Sequence, residues 1–173
     1  MALKTWSFWR QRLLELALAA LISMSVIQTT DRLSQRERDI LPPSAWFTVN
    51  EVYVPDFTEG ENPTLLYDRI IREEFRGFYV VEVQRQLEDG LWFAPCSGSG
   101  VRDYSPDDAL PQSADAPGNY VTWDWFINRA GEPCRPEAGV YRLRTSYELS
   151  RPNWPIKTTL NISNTFMVSP AEG

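Results

Sequence analysis

The chain has 173 residues, 23 acidic against 17 basic side chains for a net charge of −6, no histidine and two cysteines. The acidic balance argues against a nucleic-acid partner, whose phosphates need a basic surface. The missing histidine excludes Ser-His-Asp and Cys-His nucleophiles, imidazole zinc ligands and histidine pH sensing, and two cysteines outside any CxxC pair do not build a four-thiolate metal site.

The first element is the apolar run Leu13 to Ile27, interrupted only by Glu15. It follows a basic start, Lys4, Arg10 and Arg12, with Trp6, Phe8 and Trp9 as interface anchors. A bilayer core of about 30 Å needs roughly 20 apolar residues, so the run is short alone, and Trp6 to Ile27 makes a slightly short span. Three readings stay open: an uncleaved transmembrane signal-anchor, a signal peptide cleaved after Ser25, and a buried helix of a soluble protein. Arg32, Arg36 and Arg38 nearly balance the basic start, so the positive-inside rule favours a cytoplasmic N-terminus only weakly.

Residues 28–45 read as a polar stalk closed by Pro42 and Pro43, which stop a helix. From Trp46 the period becomes alternating. Seven strands are expected: Trp46 to Val54 with a bulge near Asn50 and Glu51, Thr64 to Arg72, Gly77 to Arg85, Leu91 to Cys96, Asn119 to Asn128, Val140 to Leu149 and Lys157 to Val168. Asp89-Gly90 marks a hairpin. Ser97 to Gly118 reads as a long polar loop, with Ser97-Gly98-Ser99-Gly100 as a flexible turn. Val121, Trp123, Trp125 and Ile127 are expected on one apolar face, as are Leu160, Ile162, Phe166 and Val168. The domain layout is 1–27 cytoplasmic start and membrane helix, 28–45 stalk, 46–169 β domain and 170–173 tail.

About seven strands without an intervening helix point to a mainly β chain, an antiparallel sandwich preceded by an N-terminal membrane helix. Glu137-Ala138-Gly139-Val140-Tyr141-Arg142-Leu143 resembles the G-x-Y-x-L turn-into-strand of immunoglobulin-like and fibronectin type III-like sandwiches, whose tyrosine packs at a corner. The inter-sheet cysteines of immunoglobulin domains are not matched, because Cys134 precedes Tyr141. An anchor, a stalk and one such sandwich resemble small envelope proteins of bacteria and their phages, which implies no catalytic residues.

Cys96 and Cys134 are able to pair, closing a loop worth on the order of 4 kcal/mol in the chain-entropy model. That bond persists only in an oxidising compartment, so it agrees with export. The inferred location is the inner (cytoplasmic) membrane, single-pass, with the C-terminal domain periplasmic or extracellular. Trp92 and Trp154, near turns, are candidates for stacking on a glycan. Asp103, Asp107, Asp108 and Asp115 fit no calcium loop, and the pairs Glu59/Glu61 and Glu73/Glu74 lack a defined glycosidase spacing. The expectation is a non-enzymatic, membrane-anchored interaction module with a protein partner, no cofactor and no metal, with glycan binding as the alternative.

Overall fold

A computed structural model describes residues 2–108, 119–127 and 133–171, with only the helical backbone for 2–15. The chain forms two compact units, 1–41 and 42–173.

The first unit is one uninterrupted helix, α1 (Ala2–Ile40). The apolar run and the stalk are therefore a single element, stopped by the proline pair as expected. Along Leu16–Ile27 the large side chains point all round the helix and are 57–68% exposed. The hydroxyls in and beyond this run are turned inward: Ser23 donates to the Ala19 carbonyl at 2.9 Å, Thr29 to Ser25 at 2.6 Å and Thr30 to Val26 at 2.8 Å. Among the described residues no helix is long and apolar enough to cross a membrane. The expected membrane helix is thus present as a helix, while its described apolar part covers only about 18 Å at 1.5 Å per residue. The entry residues Lys4, Trp6, Trp9, Arg10 and Arg12, and Leu13 to Glu15, have side chains outside the described ones.

The second unit opens with a 3-10 turn at Pro43–Ala45 and then builds nine strands among the described residues, two more than expected. They are β1 (Phe47–Tyr53), β2 (Phe57–Thr58), β3 (Thr64–Ile71), β4 (Phe75–Gln86), β5 (Trp92–Tyr104), β6 (Tyr120–Thr122), β7 (Gly139–Ser150), β8 (Lys157–Ile162) and β9 (Phe166–Ser169). A three-stranded sheet runs β1-β3-β6, and a six-stranded sheet runs β2-β9-β7-β4-β5 with β8 also on β7. All pairings are antiparallel except β2 with β9. The register of β1 shifts between Val49 and Glu51, at the expected bulge. The Asp89-Gly90 hairpin closes with Gly90 at φ +83° and its N–H bonded to the Leu87 carbonyl at 2.9 Å.

Rings from both sheets meet in the core. Phe47 of β1 lies 5.0–5.7 Å from Phe75, Tyr104 and Tyr147 of the larger sheet, and Tyr147 donates a 2.9 Å hydrogen bond to Tyr67 of β3. Alternation along β7 buries Tyr141, Leu143, Tyr147 and Leu149 as expected.

Three expectations fail for identifiable reasons. Ser97-Gly98-Ser99-Gly100 is strand, because small residues are needed where other groups press on β5. A Cβ on Gly98 would sit 1.8 Å from the Ile127 carbonyl oxygen, and one on Gly100 would sit 2.7 Å from the Tyr79 ring. Of the expected loop, 105–108 is a turn and 109–118 lies outside the described residues. The strand expected over Asn119 to Asn128 ends at Thr122. The Thr122 hydroxyl caps a single helical turn, α2 (Trp123–Phe126), so Trp123, Phe126 and Ile127 are buried while Trp125 is half-exposed.

The last expected strand is two, split at Ser163–Thr165. The pairing with β7 slips by one across the split, Arg144↔Ile162 against Tyr141↔Phe166. Leu160 and Ile162 therefore face outward and Phe166 and Val168 inward. The split serves the junction between the sheets: the Asn164 amide accepts from the Val54 N–H and donates to the Val54 carbonyl, both at 2.8 Å. Val54 is fully buried. Asn164→Ala is expected to lower the unfolding free energy by about 1–3 kcal/mol through two stranded backbone groups, with Asn164→Asp in between; urea denaturation of both variants against wild type measures this.

Candidate interaction surface

The outer face of the larger sheet follows from the same alternation. In register across it, Val101 on β5 lies beside Phe78 on β4, and Val80 is separated from Leu160 on β8 by Ser146 of β7. Phe78, Val101, Leu160 and Ile162 are exposed. Between the two apolar strips runs a polar ridge on β7, where Arg144 bridges Glu82 at 3.1 Å and the Arg142 Nε donates to Gln84 at 2.9 Å. The face is thus mixed, with apolar strips on either side of paired charges.

Trp92 belongs to this face but is covered: the Arg142 guanidinium sits 4.1 Å from its ring centroid. Trp154 packs edge-on against the buried Trp46 at 5.3 Å, with Arg151 beside both rings. The two tryptophans lie near opposite ends of β7, roughly 25 Å apart by strand rise, so the structure does not bring them together. Trp123 is fully buried, and its indole N–H donates to the Cys134 carbonyl at 3.0 Å. Cys96 and Cys134 lie at disulfide distance, Cα to Cα 5.8 Å, joining β5 to the segment that precedes β7.

Several of the candidate carboxylates are held by backbone N–H groups or by arginines. Glu61 accepts from the Thr58 N–H at 2.6 Å, Glu59 accepts from the Ala138 N–H, and Glu73 pairs with Arg151 at 3.4 Å. Asp108 accepts from the Ser105 N–H at 3.1 Å and pairs with Arg102 at 3.4 Å. No group of three or more acidic or cysteine side chains among the described residues is placed to hold a metal ion, and Asp115 lies outside them. A groove of about 830 Å³ opens where β4 begins and β5 and β7 end, lined by charges of both signs including Glu74, Arg76, Asp103 and Arg151.

One cluster was not anticipated. Tyr67, Tyr79, Tyr104 and Tyr147 gather around Arg69, whose guanidinium lies 5.2 Å from the Tyr67 ring centroid and 5.6 Å from that of Tyr104. The signal was in the sequence: the inward positions of β3 run Leu65, Tyr67, Arg69, Ile71, with an arginine in an apolar phase. No protein-family model matches the chain, and no curated protein matches its sequence.

Burial raises the pKa of the Tyr67, Tyr104 and Tyr147 phenols, by more than the neighbouring Arg69 charge lowers it. The folded state thus keeps protons that the unfolded chain releases above about pH 10. Stability from this cluster is fully present below that pH and falls as pH rises through it. Urea midpoints are expected to be equal at pH 8 and 9 and to drop by pH 11, with the tyrosinate absorbance of these three buried phenols appearing only on unfolding; an unchanged midpoint at pH 11 would contradict this.

Proposed function

We propose that this chain is a membrane-anchored interaction module of the bacterial or phage envelope type, without catalytic activity, whose immunoglobulin-like β unit sits on the periplasmic or extracellular side. The observation that carries the reading is the bare apolar wall of α1. A helix apolar on all sides belongs in a protein core or in lipid, and Leu16–Ile27 is exposed on every side. The Ser23 hydroxyl, bonded back to the Ala19 carbonyl, lowers the cost of placing that wall in hydrocarbon. With Trp6 to Glu15 added, the segment reaches about 33 Å, the thickness of a bilayer core.

The Cys96–Cys134 pair supports an oxidising compartment. The partner is read as a protein because the exposed face carries aliphatic strips and paired charges, whereas the tryptophans a sugar would need are covered or edge-packed. Fold support comes from the two sheets joined by aromatic contacts and from Tyr141, buried against Phe166 where β7 begins.

In a sucrose flotation gradient the full chain is expected to rise with membranes, and Leu21→Arg combined with Met24→Arg to leave it at the bottom. Wild type remaining at the bottom would sink the anchor. Crosslinking in membranes with mass-spectrometric identification is expected to recover a partner through Phe78 and Leu160, reduced several-fold by Phe78→Asp. Loss of polysaccharide pull-down in Trp154→Ala would instead favour the glycan reading.

A further inference from the structure

β5 is the outermost strand of the larger sheet, 13 residues paired on one side only, with β4. Which of its backbone groups are left over follows from the register. The Leu143 N–H and carbonyl are both taken by Ser163, on the side of β7 away from β4. Backbone direction alternates along a strand, so Arg142, Arg144 and Ser146 turn to β4, opposite Gln84, Glu82 and Val80. Tyr79, Val81 and Val83 therefore turn to β5, opposite Gly100, Gly98 and Cys96. The N–H and carbonyl groups of Ser97, Ser99, Val101 and Asp103 point away from the sheet, and among the described residues none of them has a backbone partner.

Ser97, Val101 and Asp103 are exposed and Ser99 is half-exposed, so this ladder is open. Proteins guard such an edge by shortness, a bulge, lysine or proline. β2 and β6 have 2 and 3 residues, and β1 is bulged. Along β5, in contrast, no lysine or proline stands between Cys96 and Tyr104. Water satisfies the open groups one at a time, whereas donors and acceptors alternating at strand spacing match another extended backbone.

We propose that β5 pairs antiparallel with β5 of a second copy of this chain, across a two-fold axis at Gly100, making one sheet continuous through both copies. The spacing is self-complementary, as a two-fold contact requires. Ser97 faces the partner's Asp103 and Ser99 faces the partner's Val101, so every outward N–H and carbonyl of the stretch is used. Small residues stand opposite larger ones, the Ser97 hydroxyl can donate to the carboxylate across from it, and at the axis glycine meets glycine. Neighbouring registers are worse. Centred on Ser99, the pairing sets Asp103 opposite Pro95, which has no N–H. Centred on Val101, it sets Ser97 opposite Ser105, whose N–H already goes to Asp108 at 3.1 Å. The outer face around Phe78 and Leu160 stays open for the protein partner proposed above.

The test is sedimentation equilibrium of the purified full chain in density-matched detergent. The protein mass is expected to approach twice that of one chain as concentration rises, and Ser99→Pro to stay monomeric. That proline removes an N–H facing away from β4, so it leaves the ladder inside the sheet whole. A dimer that survives in Ser99→Pro lies elsewhere and overturns the proposal, as does a wild type monomeric at every concentration. A monomeric wild type that binds an alternating threonine–valine peptide assigns the edge to a strand of another protein, and overturns the self-pairing too. If Ser99→Pro does not fold, Ser99→Cys decides. Two such residues would stand roughly 9 Å apart by strand geometry, so a short bis-maleimide is expected to join the copies, while Thr158→Cys, on exposed β8, gives no product. Absence of the Ser99→Cys product overturns the proposal.

Discussion

The β unit depends on rings from two sheets sharing one layer, and that layer exists only because the opposing strands carry glycine. Tyr79 lies over Gly100, Tyr104 over Gly77, and the Ile127 carbonyl against Gly98. Any side chain at these points would push the rings outward and part Phe47 from Phe75, Tyr104 and Tyr147. Large rings supply dispersion and burial in bulk, but they require facing positions with no volume of their own, so the polar-looking stretch of β5 is as much a part of the core as the aromatic residues are.

This complementarity explains which parts of the fold could be read from the sequence. Strands whose side chains alternate cleanly, β3, β4 and β7, were legible with nearly correct limits, as were the β1 bulge and the Asp89-Gly90 hairpin. Ser97 to Gly100 was not, because local composition records propensity while the reason for those residues is the ring across the sheet. Trp123-Asp124-Trp125 alternates like a strand, yet Thr122 caps a helical turn and moves the buried set to Trp123, Phe126 and Ile127. The reversal of Leu160 and Ile162 needs a break that only the demand of Val54 for an amide partner explains.

The candidate sites were less legible than the fold. The cysteine pairing followed from count and compartment logic, without knowledge of distance. The tryptophans suggested a ligand surface because aromatic residues near turns look available, but availability depends on neighbours far away in the chain: Arg142 for Trp92, and Trp46 with Arg151 for Trp154. Arg69, in contrast, stood out of phase in its own strand. A charged residue in an inward register is a local anomaly, whereas a covered ring is a tertiary one, and only the former leaves a trace in sequence.

The parallel pairing of β2 with β9 bears on how the unit would carry mechanical load. Phe57 pairs with Val168 and Thr58 with Ser169, and the Glu59 N–H reaches the Ser169 carbonyl at 2.9 Å. Tension entering at Pro42 and leaving beyond Ser169 draws these two strands along their length in opposite directions. Their hydrogen bonds are then strained together, where an antiparallel pair pulled from one end would open them one after another. The Asn164–Val54 clamp lies on the same line of force. A unit tethered at its amino side and gripped by a partner near its carboxyl side would thus resist as a lap joint, at the place where the two ends of its fold overlap.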